Sequence, residues 1–134
     1  MAADRAAGSA GPSRGALEDA FRRFADYVPL MMWRSDAQGR AVHHNDCWLS
    51  FTGRSAEEEI GEGWRRGLHP DDFGRHAGLV AGALRSHGPF SVEFRLRRHD
   101  GSYRWLLESG RPLSENGVFQ GYLGTCFDIT DRKQ

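Results

Sequence analysis

The chain is 134 residues long, 39% hydrophobic and 27% charged, and its 18 basic residues balance 18 acidic ones. That length suits one ordinary domain with its own core, and the even charge excludes the excess that drives nonspecific nucleic-acid binding. No apolar run approaches the roughly 20 residues that span a bilayer, and the opening MAADRAAGSAGP lacks the apolar centre of a signal peptide. A cytoplasmic protein without membrane insertion is expected, and Cys47 and Cys126 default to reduced thiols.

Residues 1–14 hold no large apolar side chain after Met1, so they cannot offset the entropy of ordering themselves, and a flexible leader is expected. Over 15–29, Leu17, Ala20, Phe21, Phe24 and Val28 recur at helical spacing, which predicts an amphipathic helix that Pro29 ends. The main domain is expected over 30–134. From Leu30 the period changes, and two short strands flank a turn at Asp36 to Gly39. Two short helical pieces follow: DCWLSFTG, with Asn45 or Asp46 as cap and Gly53 as stop, and SAEEEIG, with Ser55 and Glu58 as a capping box. The stretch LHPDDFGRHAGLVAGALRSHG reads as the longest helix. Pro70 suits its first position, Asp71 and Asp72 its dipole, Gly88 its end, and Leu79, Ala83 and Leu84 give its apolar stripe. Three strands complete the order: PFSVEFRLRRHD, SYRWLLESG after a turn at Asp100-Gly101, and FQGYLGTCFDI. The middle one is apolar on both sides, with Tyr103, Trp105 and Leu107 on one face and Leu106 on the other, so both faces of the sheet need cover.

Catalytic constellations are not found. Glu57, Glu58 and Glu59 are consecutive on a helix and fan outward. The GEG at Gly61 to Gly63 lacks the flanks of a nucleotide-binding loop, and no nucleophile elbow occurs. His43 and His44 point to opposite faces of a strand and cannot share a metal simply, so no metal site is expected.

Four phrases carry a resemblance: NDCWLSFTG from Asn45, GEGWRRGLHPDD from Gly61 to Asp72, RRHDGSYRW from Arg97 to Trp105, and DITDRK from Asp128 to Lys133. In this order, over about Leu30 to Lys133, they resemble the PAS domains of bacterial sensory proteins such as sensor histidine kinases, ending in a PAC-type DIT motif. The resemblance implies an α+β PAS fold, a five-stranded antiparallel sheet with short helices over one face and the amphipathic helix at its N-terminal side. It also implies an internal chamber for an unknown small-molecule ligand, with Trp33, Trp48, Phe51, Trp64, Leu79, Phe94 and Leu106 as candidate walls. Alternatively these aromatic and aliphatic side chains simply fill the core.

The function implied is noncatalytic signal transduction, coupling ligand or partner state to an output module such as a histidine kinase or diguanylate cyclase. Asp128, Ile129 and Thr130 would form the hinge where the last strand hands over to an outgoing helix. A homodimer is expected, with Leu17, Phe21 and Phe24 in the contact. Two alternatives stand beside this: a dimerisation or docking module that binds no ligand, and a haem gas sensor. In haem-binding members a histidine on the long helix is the axial ligand, so His76 would bind metal only if haem is bound. Nothing else here is specific to haem, a lone helical histidine is commonly a surface or capping residue, and no cofactor is expected. Flavin-binding light sensors carry a GRNCRFLQ-like phrase that the surroundings of Cys47 lack.

Overall fold

A computed structural model describes residues 14–133, with side chains from Asp19 onward. The chain runs α1 (Arg14–Ala25), β1 (Met31–Ser35), β2 (Ala41–His44), α2 (Asp46–Thr52), α3 (Ala56–Glu59), two 3-10 turns (Gly63–Gly67 and Pro70–Asp72), α4 (Phe73–Ser86), β3 (Phe90–Arg97), β4 (Tyr103–Glu115), β5 (Val118–Asp128) and α5 (Thr130–Lys133). The five strands form one antiparallel sheet, as the resemblance implied, and its order is β2-β1-β5-β4-β3. The leader at 1–13 and the side chain of Leu17 lie outside the described residues.

One face of the sheet carries the core. Alternation places Met31, Trp33, Val92, Phe94, Leu96, Leu106, Tyr122 and Cys126 on that face, where they pack with Trp48, Leu68 and Ala83 from the connecting segments. The other face carries Trp105, Leu107 and Phe127, and Phe127 stays 53% exposed. Phe21 of α1 meets His43 edge-on at 4.9 Å on that second face, so the N-terminal helix covers its β2 end.

Local chemistry explains the short elements. Asn45 caps α2, and Gly53 ends it in the left-handed region. Ser55 and Glu58 make the reciprocal bonds of a capping box around α3. Asn116 and Gly117 both take positive φ in the β4–β5 turn, the geometry a tight hairpin requires.

Several expectations need correction. α1 ends at Ala25 rather than running to Pro29, because the Ala25 carbonyl is held by Asn45 Nδ2 and by Val28 N. The long helix is split: Pro70–Asp72 is a separate 3-10 turn, capped by His69 Nδ1, before α4 begins. Its left-handed terminal residue is His87, not Gly88. Its buried stripe contains His76 and Ala83 with Val80 and Leu84 beside them, which turns Leu79 outward and leaves it 38% exposed. β4 runs five residues past the expected Gly110 because it stays paired with β5, and Pro112, which has no N–H to give, is tolerated there because β4 no longer pairs with β3.

Candidate functional site

The site begins with two glycines. Gly110 of β4 lies directly opposite Gly124 of β5. A Cβ on Gly124 would fall 2.0 Å from the Trp33 indole, and one on Gly110 would fall 2.3 Å from the Phe90 ring. The bare backbone is therefore a shallow seat in the sheet, and the two rings lie across it, inclined by 28° and 6.1 Å apart. Above them α2 supplies Trp48, the first 3-10 turn supplies Trp64, and α4 supplies His76 and Val80. These groups enclose a cavity of about 40 Å³. At roughly 10–15 Å³ per water-sized centre, that is room for about three or four waters or the edge of one small ring.

The cavity is apolar in its rings and polar at its edges. His76 Nε2 lies 2.8 Å from Glu108 Oε1, and both residues are buried. The imidazole is held edge-on between Trp64, at 5.1 Å, and Phe94, at 5.0 Å. His44 pairs with Trp33 across β1 and β2 and rests on Trp48 at 4.7 Å. Burial, with His43 adding its charge, lowers the His44 pKa to about 4, so this ring is neutral at physiological pH. Burial also pushes the Cys126 thiol well above its ordinary value, Glu108 adding to the effect. The neighbouring Trp33 N–H works against this rise. Trp33 Nε1, His44 Nδ1 and His76 Nδ1 are all buried without a hydrogen-bond partner. Buried polar atoms of this kind are normally paired, and these three belong to residues lining one cavity.

A second buried carboxylate supports the wall. Glu59 accepts from Trp48 Nε1 at 2.9 Å and from Arg54 Nε at 3.0 Å, fixing the indole over the cavity. Its neighbours Glu57 and Glu58 do point outward, but Glu59 is buried, contrary to the reading of all three as a solvated fan.

From α4 a line of contacts leads to the end of β5. Asp72 receives the Arg95 backbone N–H and both arms of its guanidinium at 2.7 to 3.1 Å. Burial works against this carboxylate, but the Arg95 bonds prevail and lower its pKa to about 2. Arg95 lies over one side of the Trp105 ring at 4.7 Å, and Lys133 of α5 lies over the same ring at 4.6 Å. The Trp105 backbone accepts from Ile129 N and donates to Thr130 Oγ1. Asp128 accepts from both Thr130 N and Thr130 Oγ1, and from Arg104 Nε at 2.8 Å. Partial burial opposes ionisation of Asp128, yet these bonds leave its pKa below the usual value.

Of the candidate walls, Trp33, Trp48 and Trp64 line the cavity. Phe94 packs behind the lining residues Trp64 and His76, Leu106 belongs to the buried core, and Phe51 packs on the core periphery. Leu79 faces away. His76 is a buried cavity residue, not the surface or capping group expected of a lone helical histidine. Its pairing could not be read from sequence, since Glu108 stands 32 positions away in a strand. Haem does not fit this arrangement: a macrocycle far exceeds 40 Å³, and His76 Nε2 is held by Glu108. Among the described residues no cluster of three or more metal-binding side chains occurs.

The family described as PAS fold matches residues 41–126. The chain is 35% identical over 117 residues to the uncharacterized protein y4lL of Sinorhizobium fredii, covering 87% of this chain and 14% of that protein. It is 29% identical over 130 residues to the peroxide stress-activated histidine kinase mak1 of Schizosaccharomyces pombe, covering 88% of this chain and 8% of the kinase. The chain thus spans only a small part of these relatives. Among solved structures, a PAS domain from Colwellia psychrerythraea superposes with a TM-score of 0.69 at 27% identity, covering 87% of this chain and 99% of that one. Family match, relatives and sheet order agree, and the chain belongs to the PAS fold family of sensory domains.

Proposed function

We propose that this domain is a noncatalytic cytoplasmic sensor whose cavity occupancy is coupled to an output module following Asp128, such as a histidine kinase or diguanylate cyclase. One observation carries the reading: a single line of contacts joins the cavity to the exit segment. His76 and Asp72 lie one turn apart at the start of α4, and Asp72, Arg95, Trp105 and Lys133 follow in sequence of contact. A ligand that shifts His76 would move the anchor of Arg95 and, through the Trp105 ring, the root of α5. Similarity to the histidine kinase mak1 supports the output class, and no described helix is long and apolar enough to cross a membrane.

The test fuses the domain to a histidine-kinase core and compares wild type with Asp128→Ala. Losing the Thr130 and Arg104 bonds should change autophosphorylation while costing about 1 kcal/mol of stability, as for loss of a helix cap. Unchanged output would remove Asp128 from the hinge, and global unfolding would make it a structural anchor. A second reading, a docking or dimerisation module without ligand, is favoured by the exposure of Phe24, Tyr27 and Phe127. Cavity variants would then leave the fusion's output unchanged.

A further inference from the structure

The chamber holds a carboxylate oxygen with nothing bonded to it. Glu108 is 4% exposed and lines the space, and its Oε1 is taken by His76 Nε2 at 2.8 Å. Among the described residues Glu108 Oε2 has no hydrogen-bond partner, yet it is not sealed off as Trp33 Nε1 and His76 Nδ1 are. Its open surface therefore faces the chamber that Glu108 lines. A buried carboxylate oxygen left unpaired is costly, so this one invites a donor.

The surroundings decide which donor. Trp33, Trp48, Trp64 and Phe90 line the same space, and among the described residues no lysine or arginine does. Aromatic rings attract cations through the negative charge on their faces, Trp most of all, and more strongly where water is excluded. His44 is held neutral, so it adds no repelling charge. Glu108 Oε2 keeps its lone pairs whether His76 is charged or neutral, since either form can donate from Nε2 to Oε1 of the carboxylate. Size sets the limit. Cavities that take a benzene ring measure about 150 Å³, and this one measures about 40 Å³. That leaves room for a guest of about two or three non-hydrogen atoms, not for a ring. Gly39, Trp64, His76 and Val80 also line an outer groove of about 170 Å³, so this wall of the chamber has the surface on its far side.

Resting on the ligand-sensor reading above, we propose that the chamber binds a small primary alkylammonium ion, methylammonium in size, reached from the groove beside Trp64. One N–H donates to Glu108 Oε2, the positive charge rests among the indole rings, and the short alkyl group fills the apolar remainder.

Methylammonium chloride is titrated at about pH 8, above the ordinary histidine range, and followed by the indole N–H signals of nitrogen-15-labelled protein. It should shift the Trp33, Trp48 or Trp64 signals saturably and bind about tenfold or more tighter than methanol, its uncharged match, the worth of one charge-assisted hydrogen bond. Potassium chloride at equal ionic strength should leave the signals in place, and so should tetramethylammonium, which is larger and has no N–H. Glu108→Gln keeps the shape and can still accept from His76, and it should lower methylammonium affinity about tenfold or more. Trp64→Leu, at a half-buried wall position, should lower it about twofold to fivefold while leaving methanol's unchanged, and serves if Glu108→Gln folds poorly. Equal binding of methanol, or binding of potassium or tetramethylammonium in place of methylammonium, would overturn the ammonium class while leaving a ligand chamber. Failure of every probe to bind also overturns the proposal, and the ligand-sensor reading falls with it only if Glu108→Gln leaves the output of the kinase fusion unchanged.

Discussion

His44 is a titratable group that the fold holds neutral well below its ordinary range. Its ring is buried against Trp48, and its pKa falls to about 4 from an ordinary 6.5. The unfolded chain takes up a proton below pH 6.5, and the folded chain refuses it until about pH 4. Stability contributed by the neutral ring is therefore complete above pH 6.5 and lost as pH falls between those values, by roughly 3 kcal/mol. Urea midpoints measured across that range should drop for wild type and stay level for His44→Phe. An identical slope in both would mean that His44 is protonated in the fold. Asn45 beside it needs no test of satisfaction. Its Oδ1 accepts from Met32 N and Trp48 N, and its Nδ2 donates to Ala25 O and Leu30 O, which uses all four of its positions. The cap role of Asn45 was legible because Asn before an apolar helical run is a local signal. The bonds that tie it to α1 and β1 were not, and neither was the burial of Glu59 under Trp48, because both depend on segments brought together only by the fold.

Among the elements, β4 and β5 are the pair on which the cavity depends. A strand interior ordinarily gains from side chains, yet Gly110 and Gly124 are opposed at its middle so that Phe90 and Trp33 can lie flat. Gly124→Ala should push the indole off its seat, destabilise the domain by about 1–3 kcal/mol as overpacking does, and change the near-ultraviolet circular dichroism of the tryptophans. A spectrum and melting curve like wild type would show that the ring is not seated there. The alternation of Phe90, Val92, Phe94 and Leu96 was enough to find β3, and the Asp36 to Gly39 turn enough to find the first hairpin, because each is a local pattern. Isolated glycines within a strand announce a close approach without saying of what. The stripe of α4 was misplaced for a related reason: His76 counts as polar in any apolar period, although here it is a buried member of the stripe.

For the molecule as a whole, the second face of the sheet is only partly covered. Phe127 on the sheet and Phe24 and Tyr27 at the end of α1 are 53%, 60% and 84% exposed, while Phe21 is already engaged with His43. A second copy covering them is the expected resolution. Sedimentation at tens of micromolar should find a dimer that Phe24→Glu together with Phe127→Glu converts to monomer. A wild-type monomer under those conditions ends the dimer proposal. The fold class was readable because four phrases in fixed order reported it, whereas an interface depends on which faces remain bare after packing. The sheet order has one more implication. β5 lies between β1 and β4, and Ser35 and Tyr122, joined by a hydrogen bond, are 87 positions apart. While the ribosome is still making the chain, the β1–β2 and β3–β4 hairpins share no strand, and each presents an open edge that invites wrong partners. Only the arrival of residues up to Asp128 joins them, so in a nascent chain stalled before β5 the two hairpins share no ladder, and the strand that would carry the signal outward is also the one that closes the sheet.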